Sequence, residues 1–329
     1  MPNKPVVAIL HDGRPPPPGP LAPVTEHAEV RLVEAAGLAR ALHGADVLFA
    51  YDFFSPAIHE AWHAADSLRW LHVASAGVDA MLDPQVRASE VVLTNSRGIF
   101  DQAIAEYVLA QILTFAKDLR GSWALQRDER WLHRESQRIA GTRALVVGTG
   151  PIGRAVARLL AAAGIHVTGG GRRARDRDAD FGTVIDVTAP ASFHAGLAGA
   201  DWVVAIAPLT EQTRGMFDAA AFAAMDPAAR FINVGRGELA RTDDLVTALR
   251  AGELAGAALD VVDPEPPPPG HPLWELPGVV LTPHNSGDFI GWRDELVGVF
   301  AENFRRWTAG RPLRNVVDKH LGYVPSTGG

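Results

Sequence analysis

Apolar residues in this chain fall into short, nearly continuous runs separated by stretches with helical spacing. In the first hundred residues VVAIL (6–10), AEVRLV (28–33), DVLFAY (46–51), LRWLHVA (68–74) and EVVLTN (90–95) predict strands. These runs do not alternate with polar residues, as expected for parallel strands covered on both faces. Helical spacing appears between them, around LARALHG (38–44) and PAIHEAWHAAD (56–66). The prolines at 15–18 predict a stiff loop that no sheet interior accepts. Residues 101–119, DQAIAEYVLAQILTFAKDL, predict one long helix with Asp101 as N-cap. It is apolar around much of its circumference and so should be buried. A more polar stretch with Trp123 and Trp131 follows. A second series of strands then begins: 143–148, 164–169, 201–207, 230–235, 255–261 and 278–282. Helices are expected at 152–164, 219–225 and 243–252, and a last amphipathic one over 294–310. No internal repeat is visible.

Two consecutive β–α–β series imply an α/β fold of two doubly wound parallel-sheet domains. Residues 1–100 should form the first domain and 101–285 the second, with 286–329 returning to the first. A cleft is expected between the domains.

Composition narrows the classes. A net charge of −7 argues against nucleic acid or an anionic membrane as the main partner. No apolar run approaches the roughly 18–20 residues that span a bilayer, and the N-terminal run is too short for a signal-peptide core. The chain has no cysteine, which excludes disulfides, thiolate metal sites and a cysteine nucleophile. A cytoplasmic location and no metal are expected. Only three of the 31 basic residues are lysines, so an arginine carries information only where its position is telling.

The sequence GTGPIG, residues 148–153, sits at the end of a predicted strand and opens an alanine-rich helix. In that context Gly148 permits a tight turn, Gly150 admits a pyrophosphate close to the backbone, and Gly153 lets helix and sheet pack closely. The anion would rest on the helix N-terminus. The next strand closes with VTGGGRRARD (167–176). An acid bonding the ribose 2′-hydroxyl of NAD is common there, but this chain has Arg172 and Arg173. Arginines suit the 2′-phosphate of NADP(H), with NAD(H) still possible; a solvated basic loop is the plainer alternative. Arg236, Glu265 and His284 each follow a predicted strand and Asp260 stands at the end of one, all on the same sheet edge. Arg236 suits a substrate carboxylate and His284 suits proton exchange with a carbonyl oxygen. Glu265 suits the orientation of that imidazole. At the end of an earlier strand, VASAGVDAML (73–82) predicts a turn opening a helix, with the N–H groups of Ala76, Gly77 and Val78 available to a carboxylate.

Together SAGVD, GTGPIGRAVAR, PLTEQT, NVGRGEL, ALDVVDPEP and HPLWELPGVVLTPH resemble, in order, the blocks of the D-isomer-specific 2-hydroxyacid dehydrogenases. The resemblance covers residues 68 to 288. It implies a Rossmann-type dinucleotide domain inserted in a flavodoxin-like substrate domain. It also implies that Arg236 binds substrate, Glu265 supports the acid/base, His284 exchanges the proton and Asp260 meets the nicotinamide carboxamide. Within the matching motifs, Pro151, Ile152, Pro208, Thr213, Val234, Gly235 and Ser286 are implied to line the cofactor. The arginines after the second strand are similar to those of the glyoxylate/hydroxypyruvate reductase branch. The implied protein is a homodimer that reduces a small 2-oxo acid to the D-2-hydroxy acid. Two departures stand out. Arg241 replaces a usual aspartate, leaving Thr242 to cap the helix, and prolines 267–269 replace a leucine-containing loop. A dinucleotide-sensing binding protein of corepressor type on the same scaffold is the alternative.

Overall fold

A computed structural model describes residues 4–325; residues 1–3 and 326–329, the extreme ends of the expected first and last spans, lie outside it. The described chain divides into two compact units, residues 4–99 with 289–325, and residues 100–288.

The first unit holds β1 (Val6–Leu10), α1 (Pro18–Thr25), β2 (Glu29–Val33), α2 (Leu38–Leu42), β3 (Val47–Ala50), α3 (Ala57–Ala61), β4 (Trp70–Val73), α4 (Pro84–Ala88) and β5 (Val92–Asn95). Its five strands are all parallel, in the flavodoxin-like order β2-β1-β3-β4-β5. Alternate strand residues Ala8, Leu10, Leu48, Ala50, Leu71 and Val73 join one core cluster with Leu38, Leu42 and Ile58. On the opposite face the rings of Phe49 and Trp70 stack on Phe300, at 4.1 and 5.3 Å between centroids. Near-continuous apolar runs follow from burial on both faces.

The second unit runs through α5 (Asp101–Ala116), α6 (Leu119–Arg127), β6 (Arg143–Val147), α7 (Pro151–Ala162), β7 (His166–Gly171), β8 (Arg175–Asp178), β9 (Gly182–Asp186), α8 (Pro190–Ala198), β10 (Trp202–Ala205), α9 (Ala219–Ala223), β11 (Arg230–Asn233), α10 (Thr242–Ala251), β12 (Gly256–Leu259) and β13 (Val279–Leu281). Its eight-stranded sheet has the order β13-β12-β11-β10-β6-β7-β9-β8, parallel except for the edge strand β8. The last helix, α11 (Trp292–Thr308), belongs to the first unit and packs against α1.

Several expectations need correction. Prolines 15–17 stay in the loop, as expected, but Pro18 starts α1. Prolines at 18 and 20 sit in the first turn, where an N–H has no intrahelical acceptor, so only Pro23 forfeits a ladder bond. Buried Leu21 and Val24 hold the helix down. The expected helix over 101–119 stops at Ala116, because Asp118 turns left-handed at φ 44° and accepts the N–H of Gly121 to start α6. Asp101 is the first helical residue, not the cap. Arg241, not Thr242, holds the N-cap position of α10; the Thr242 hydroxyl donates instead to the Asp263 carbonyl at 2.6 Å. No α-helix opens at 76–78, where only a 3-10 turn, Asp79–Met81, follows before α4. The hairpin of β8 and β9 and the helix α8 carry no expectation from the periodicity. The hairpin runs RDRD and GTVID are short and carry charges, and the α8 run PASFHAGLA is short and uncharged.

Candidate active site at the carboxyl edge of the second sheet

Six strand ends bring the sequence-selected residues to one edge. Following the sheet order, Thr282 to Ser286 leave β13, Asp260 to Glu265 leave β12, and Val234 to Arg236 leave β11. Pro208 to Thr213 come after β10, the glycine turn after β6, and Arg172 and Arg173 after β7. The order reverses between β10 and β6, the switch point at which open parallel sheets bind ligands. With strands about 4.8 Å apart, His284 lies four strands, roughly 19 Å, to one side of the glycine turn and the arginine pair one strand to the other.

Three glycines of the turn do three different jobs. Gly148 has φ 123°, and a Cβ there would lie 2.7 Å from the backbone carbon of Ile206. A Cβ on Gly153 would lie 1.9 Å from the Gly148 carbonyl oxygen, so this glycine lets α7 sit against its own turn. Gly150 differs from both. It caps α7 with an ordinary extended backbone at φ −75°, and a Cβ there would meet no protein atom within 4 Å. The space above it is open, directly before Pro151, Ile152 and the first-turn N–H groups of α7. That is a cradle for an anionic group brought close to the backbone, and it fits a pyrophosphate.

The glycines of VTGGG belong to the sheet. A Cβ on Gly169 would lie 2.9 Å from the ring of Phe181, and one on Gly170 would lie 2.8 Å from Val187. Arg172 and Arg173 follow in the exposed bend before β8.

His284 and Glu265 meet: the imidazole Nδ1 lies 2.8 Å from Glu265 Oε1. His284 adopts φ 51°, a left-handed backbone rare outside glycine, of the kind that the surrounding structure must enforce. Asp260 supplies that enforcement. It is 2% exposed, and its carboxylate accepts from Thr282 Oγ1 at 2.6 Å, Asn285 N at 3.0 Å and Ser286 N at 2.9 Å. Its carbonyl accepts from His284 N at 2.9 Å. Behind it the Tyr107 hydroxyl bonds Thr282 Oγ1 at 2.6 Å, and burial pushes that phenol up to about 12.

Arg236 extends from a turn fixed by Asn233, whose side chain donates to the Arg236 carbonyl at 2.9 Å and accepts from Gly235 N at 3.1 Å. Gly237 lets this turn press on the loop after β12, since a Cβ there would lie 2.0 Å from the Val262 carbonyl oxygen. Thr213 turns its hydroxyl inward: it donates to the Pro208 carbonyl at 2.7 Å and accepts from Thr210 N at 2.8 Å, shaping the loop after β10. Val234 is buried and donates its N–H to the Ala205 carbonyl. In the first unit, the N–H groups of Ala76, Gly77 and Val78 point to no acceptor among the described residues, and Ser75 Oγ braces the turn on the Gly77 carbonyl.

Sequence reasoning missed Tyr107, Thr282 and Asn233 as organisers. Asn233 and Thr282 lie inside motifs already picked out, one residue or two from the selected positions. Tyr107 lies more than 170 residues from its partner, and no local pattern marks it.

A doubly wound sheet with a glycine cradle at its switch point and a braced imidazole–carboxylate pair on the same edge defines a dinucleotide-dependent oxidoreductase class. Residues 109–286 match the D-isomer specific 2-hydroxyacid dehydrogenase, NAD binding domain. The chain belongs to the D-isomer specific 2-hydroxyacid dehydrogenase family, whose members use NAD(P). It is 40% identical over 224 residues to "Uncharacterized protein in mprR 3'region" of Streptomyces coelicolor, covering 68% of this chain and 79% of that one. It is 30% identical to glyoxylate/hydroxypyruvate reductase A of Serratia proteamaculans (strain 568), covering 80% of this chain and 85% of the relative. The fold is similar to the NADPH-dependent glyoxylate/hydroxypyruvate reductase of Sinorhizobium meliloti in complex with NADP and sulfate, at TM-score 0.81 and 28% identity. That likeness covers 98% of this chain and 100% of that one. No helix among the described residues is long and apolar enough to cross a membrane.

Proposed function

We propose that the protein is an NADPH-preferring reductase of small 2-oxo acids, of the glyoxylate or hydroxypyruvate class, giving the D-2-hydroxy acid. The observation that carries this reading is the His284–Glu265 pair on the edge that also bears the Gly150 cradle. Gly148, Gly150, Pro151, Ile152 and Gly153 hold the pyrophosphate; Pro208, Val234, Gly235, Asp260 and Ser286 line the remainder, with Thr213 shaping its loop. Arg172 and Arg173 hold the 2′-phosphate. The bound nicotinamide supplies a hydride to the carbonyl carbon. Arg236 holds the substrate carboxylate by a bidentate contact. Glu265 accepts the Nδ1–H of His284 and fixes the ring, so that Nε2 faces away and delivers a proton to the carbonyl oxygen. In the first unit the N–H groups of Ala76, Gly77 and Val78 are proposed donors to a carboxylate. The proposal includes a cytoplasmic homodimer, with sedimentation of the purified chain as its check on assembly.

The test is steady-state turnover with NADPH and with NADH across glyoxylate, hydroxypyruvate, pyruvate and bulkier oxo acids, for wild type and His284→Ala. The variant should lose about 10²–10⁴-fold in kcat while binding NADPH as before. An unchanged kcat refutes the mechanism. Tight dinucleotide binding without turnover on any substrate favours the sensing alternative.

A further inference from the structure

Asn95 closes β5, and the mechanism above gives it no task. It is buried, and its side chain bridges the loop after β5 and the turn after β4. The Arg97 N–H donates to its Oδ1 at 3.2 Å. That leaves the amide nitrogen facing the turn, where it donates to the Ala76 carbonyl at 2.5 Å. The same turn carries the three N–H groups assigned above to a carboxylate. A trans peptide unit is planar, so its C=O and N–H point in opposite directions and holding one aims the other. Each carbonyl that precedes one of these N–H groups is held. Ser75 O accepts from Ser96 N at 2.9 Å, ahead of the Ala76 N–H. Ala76 O accepts from Asn95, ahead of the Gly77 N–H, and Gly77 O accepts from Ser75 Oγ, ahead of the Val78 N–H. Asn95 thus reaches the turn from a neighbouring strand and aims its central donor.

Asn95 is itself fixed from the far end of the chain. β5 is an edge strand of the first sheet; Val316 bridges antiparallel to Thr94, and Val317 N donates to the Leu93 carbonyl at 2.8 Å. Asn315 Nδ2 donates to the carbonyls of Asn95 at 3.2 Å and Arg97 at 2.9 Å. The Asn315 carbonyl accepts from Asn95 N at 3.2 Å. Asn315 does this at φ 57°, a left-handed backbone that asparagine adopts more readily than most residues. Resting on the reading that Ala76, Gly77 and Val78 receive a substrate carboxylate, we infer that Asn95 is a positioning residue for that carboxylate. It aims the Gly77 N–H by holding the Ala76 carbonyl, and Asn315 in the C-terminal segment holds Asn95 in place.

The experiment is steady-state kinetics on wild type and three variants, with NADPH and with glyoxylate, hydroxypyruvate or pyruvate, whichever wild type reduces fastest. A contact to the carboxylate that is equally strong before and during hydride transfer lowers KM without changing kcat. Asn95→Ala should therefore raise KM for the oxo acid about tenfold, the scale of one charge-assisted hydrogen bond. Its kcat and its KM for NADPH should stay within about twofold of wild type. Asn95→Asp keeps the shape of the side chain and the acceptor for Arg97 N but turns an acceptor on the Ala76 carbonyl; it should raise the same KM at least as far. Asn315→Gly accommodates φ 57° and removes only the two donated bonds, away from the turn, which guards against an Asn95 variant that does not fold. Its KM for the oxo acid should rise about threefold. An oxo-acid KM within twofold of wild type in both Asn95 variants, a fall in kcat at unchanged KM, or an equal rise in the KM for NADPH overturns the inference. An unchanged KM in Asn315→Gly overturns the role given to Asn315. If wild type reduces no 2-oxo acid, the reading of the reaction and this inference fall together. If wild type reduces one and the Asn95 variants keep its KM, only this inference falls.

Discussion

Gly150→Ala separates a glycine kept for a ligand from one kept for the fold. At this position φ is −75° and ψ −174°, which alanine adopts without strain, and the added Cβ touches no protein atom within 4 Å. Replacing glycine where the backbone is compatible stabilises by about 0.4–1 kcal/mol through the unfolded chain. Alanine at an N-cap costs roughly as much relative to glycine. The two terms cancel, and the melting temperature without ligand should stay within about 2 °C of wild type. Binding should not survive so well, because the methyl group occupies the space through which a pyrophosphate approaches α7. A dinucleotide present at 100 times its Kd stabilises wild type by about 2.7 kcal/mol. For a unit of this size that is a rise of about 5–10 °C. Thermal unfolding with and without NADPH should show that rise in wild type and little or none in the variant. A large loss of stability without ligand would show that Gly150 serves the fold, and a full ligand-induced rise in the variant would remove the pyrophosphate from this turn.

Two further outcomes test how each unit is held together. Burial lowers His72 from 6.5 to about 3, and its ring nitrogens meet Thr94 Oγ1 at 2.7 Å and Ser96 Oγ at 3.3 Å. Between those values the unfolded chain holds a proton that the folded chain refuses. The stability tied to His72 is therefore complete above about pH 6.5 and declines as the pH falls, by up to about 1.4 kcal/mol per pH step. Urea unfolding from pH 7 to 5 should show this slope in wild type and a shallower one in His72→Gln; parallel slopes refute the assignment. Tyr107→Phe removes the hydroxyl that bonds Thr282 and should cost about 1–2 kcal/mol in the same unfolding measurement. No measurable loss would show that the Tyr107–Thr282 bond contributes nothing to the loop that carries His284.

Much of the architecture is legible because parallel strands buried on both faces leave unbroken apolar runs, as in VVAIL and DWVVAIA. The residues after those runs are then assigned to one sheet edge by topology alone, which is how Arg236, Glu265 and His284 come into view. What periodicity does not carry is structure made by side-chain pairing. Strand β8 reads RDRD and has no apolar face; it exists because Arg154 and Arg175 take up Asp178. Helix α1 violates proline statistics, but its prolines fall mostly where a helix has no bond to lose. Asp260 is visible as a polar residue at a strand end. Its work as the acceptor for three separate donors is not visible, because those donors lie 22 to 26 residues further along.

VTGGGRRARD shows how one stretch can carry two unrelated constraints. The sequence invites a single explanation, small residues making room for a cofactor beside basic ones that bind it. The structure divides the stretch at Gly171. Before it, Gly169 and Gly170 are small because Phe181 and Val187 occupy the volume that their side chains would need, so their loss would disturb the packing of β7 on β9 whatever the ligand. After it, Arg172 and Arg173 lie in the exposed bend before β8. A substitution at Gly169 should therefore unfold the hairpin and weaken both dinucleotides together, whereas substitutions at the arginines should discriminate between them. Arg154 belongs to both halves, because it lies on Phe181 and also holds Asp178. Its guanidinium ties α7 to the hairpin of β8 and β9.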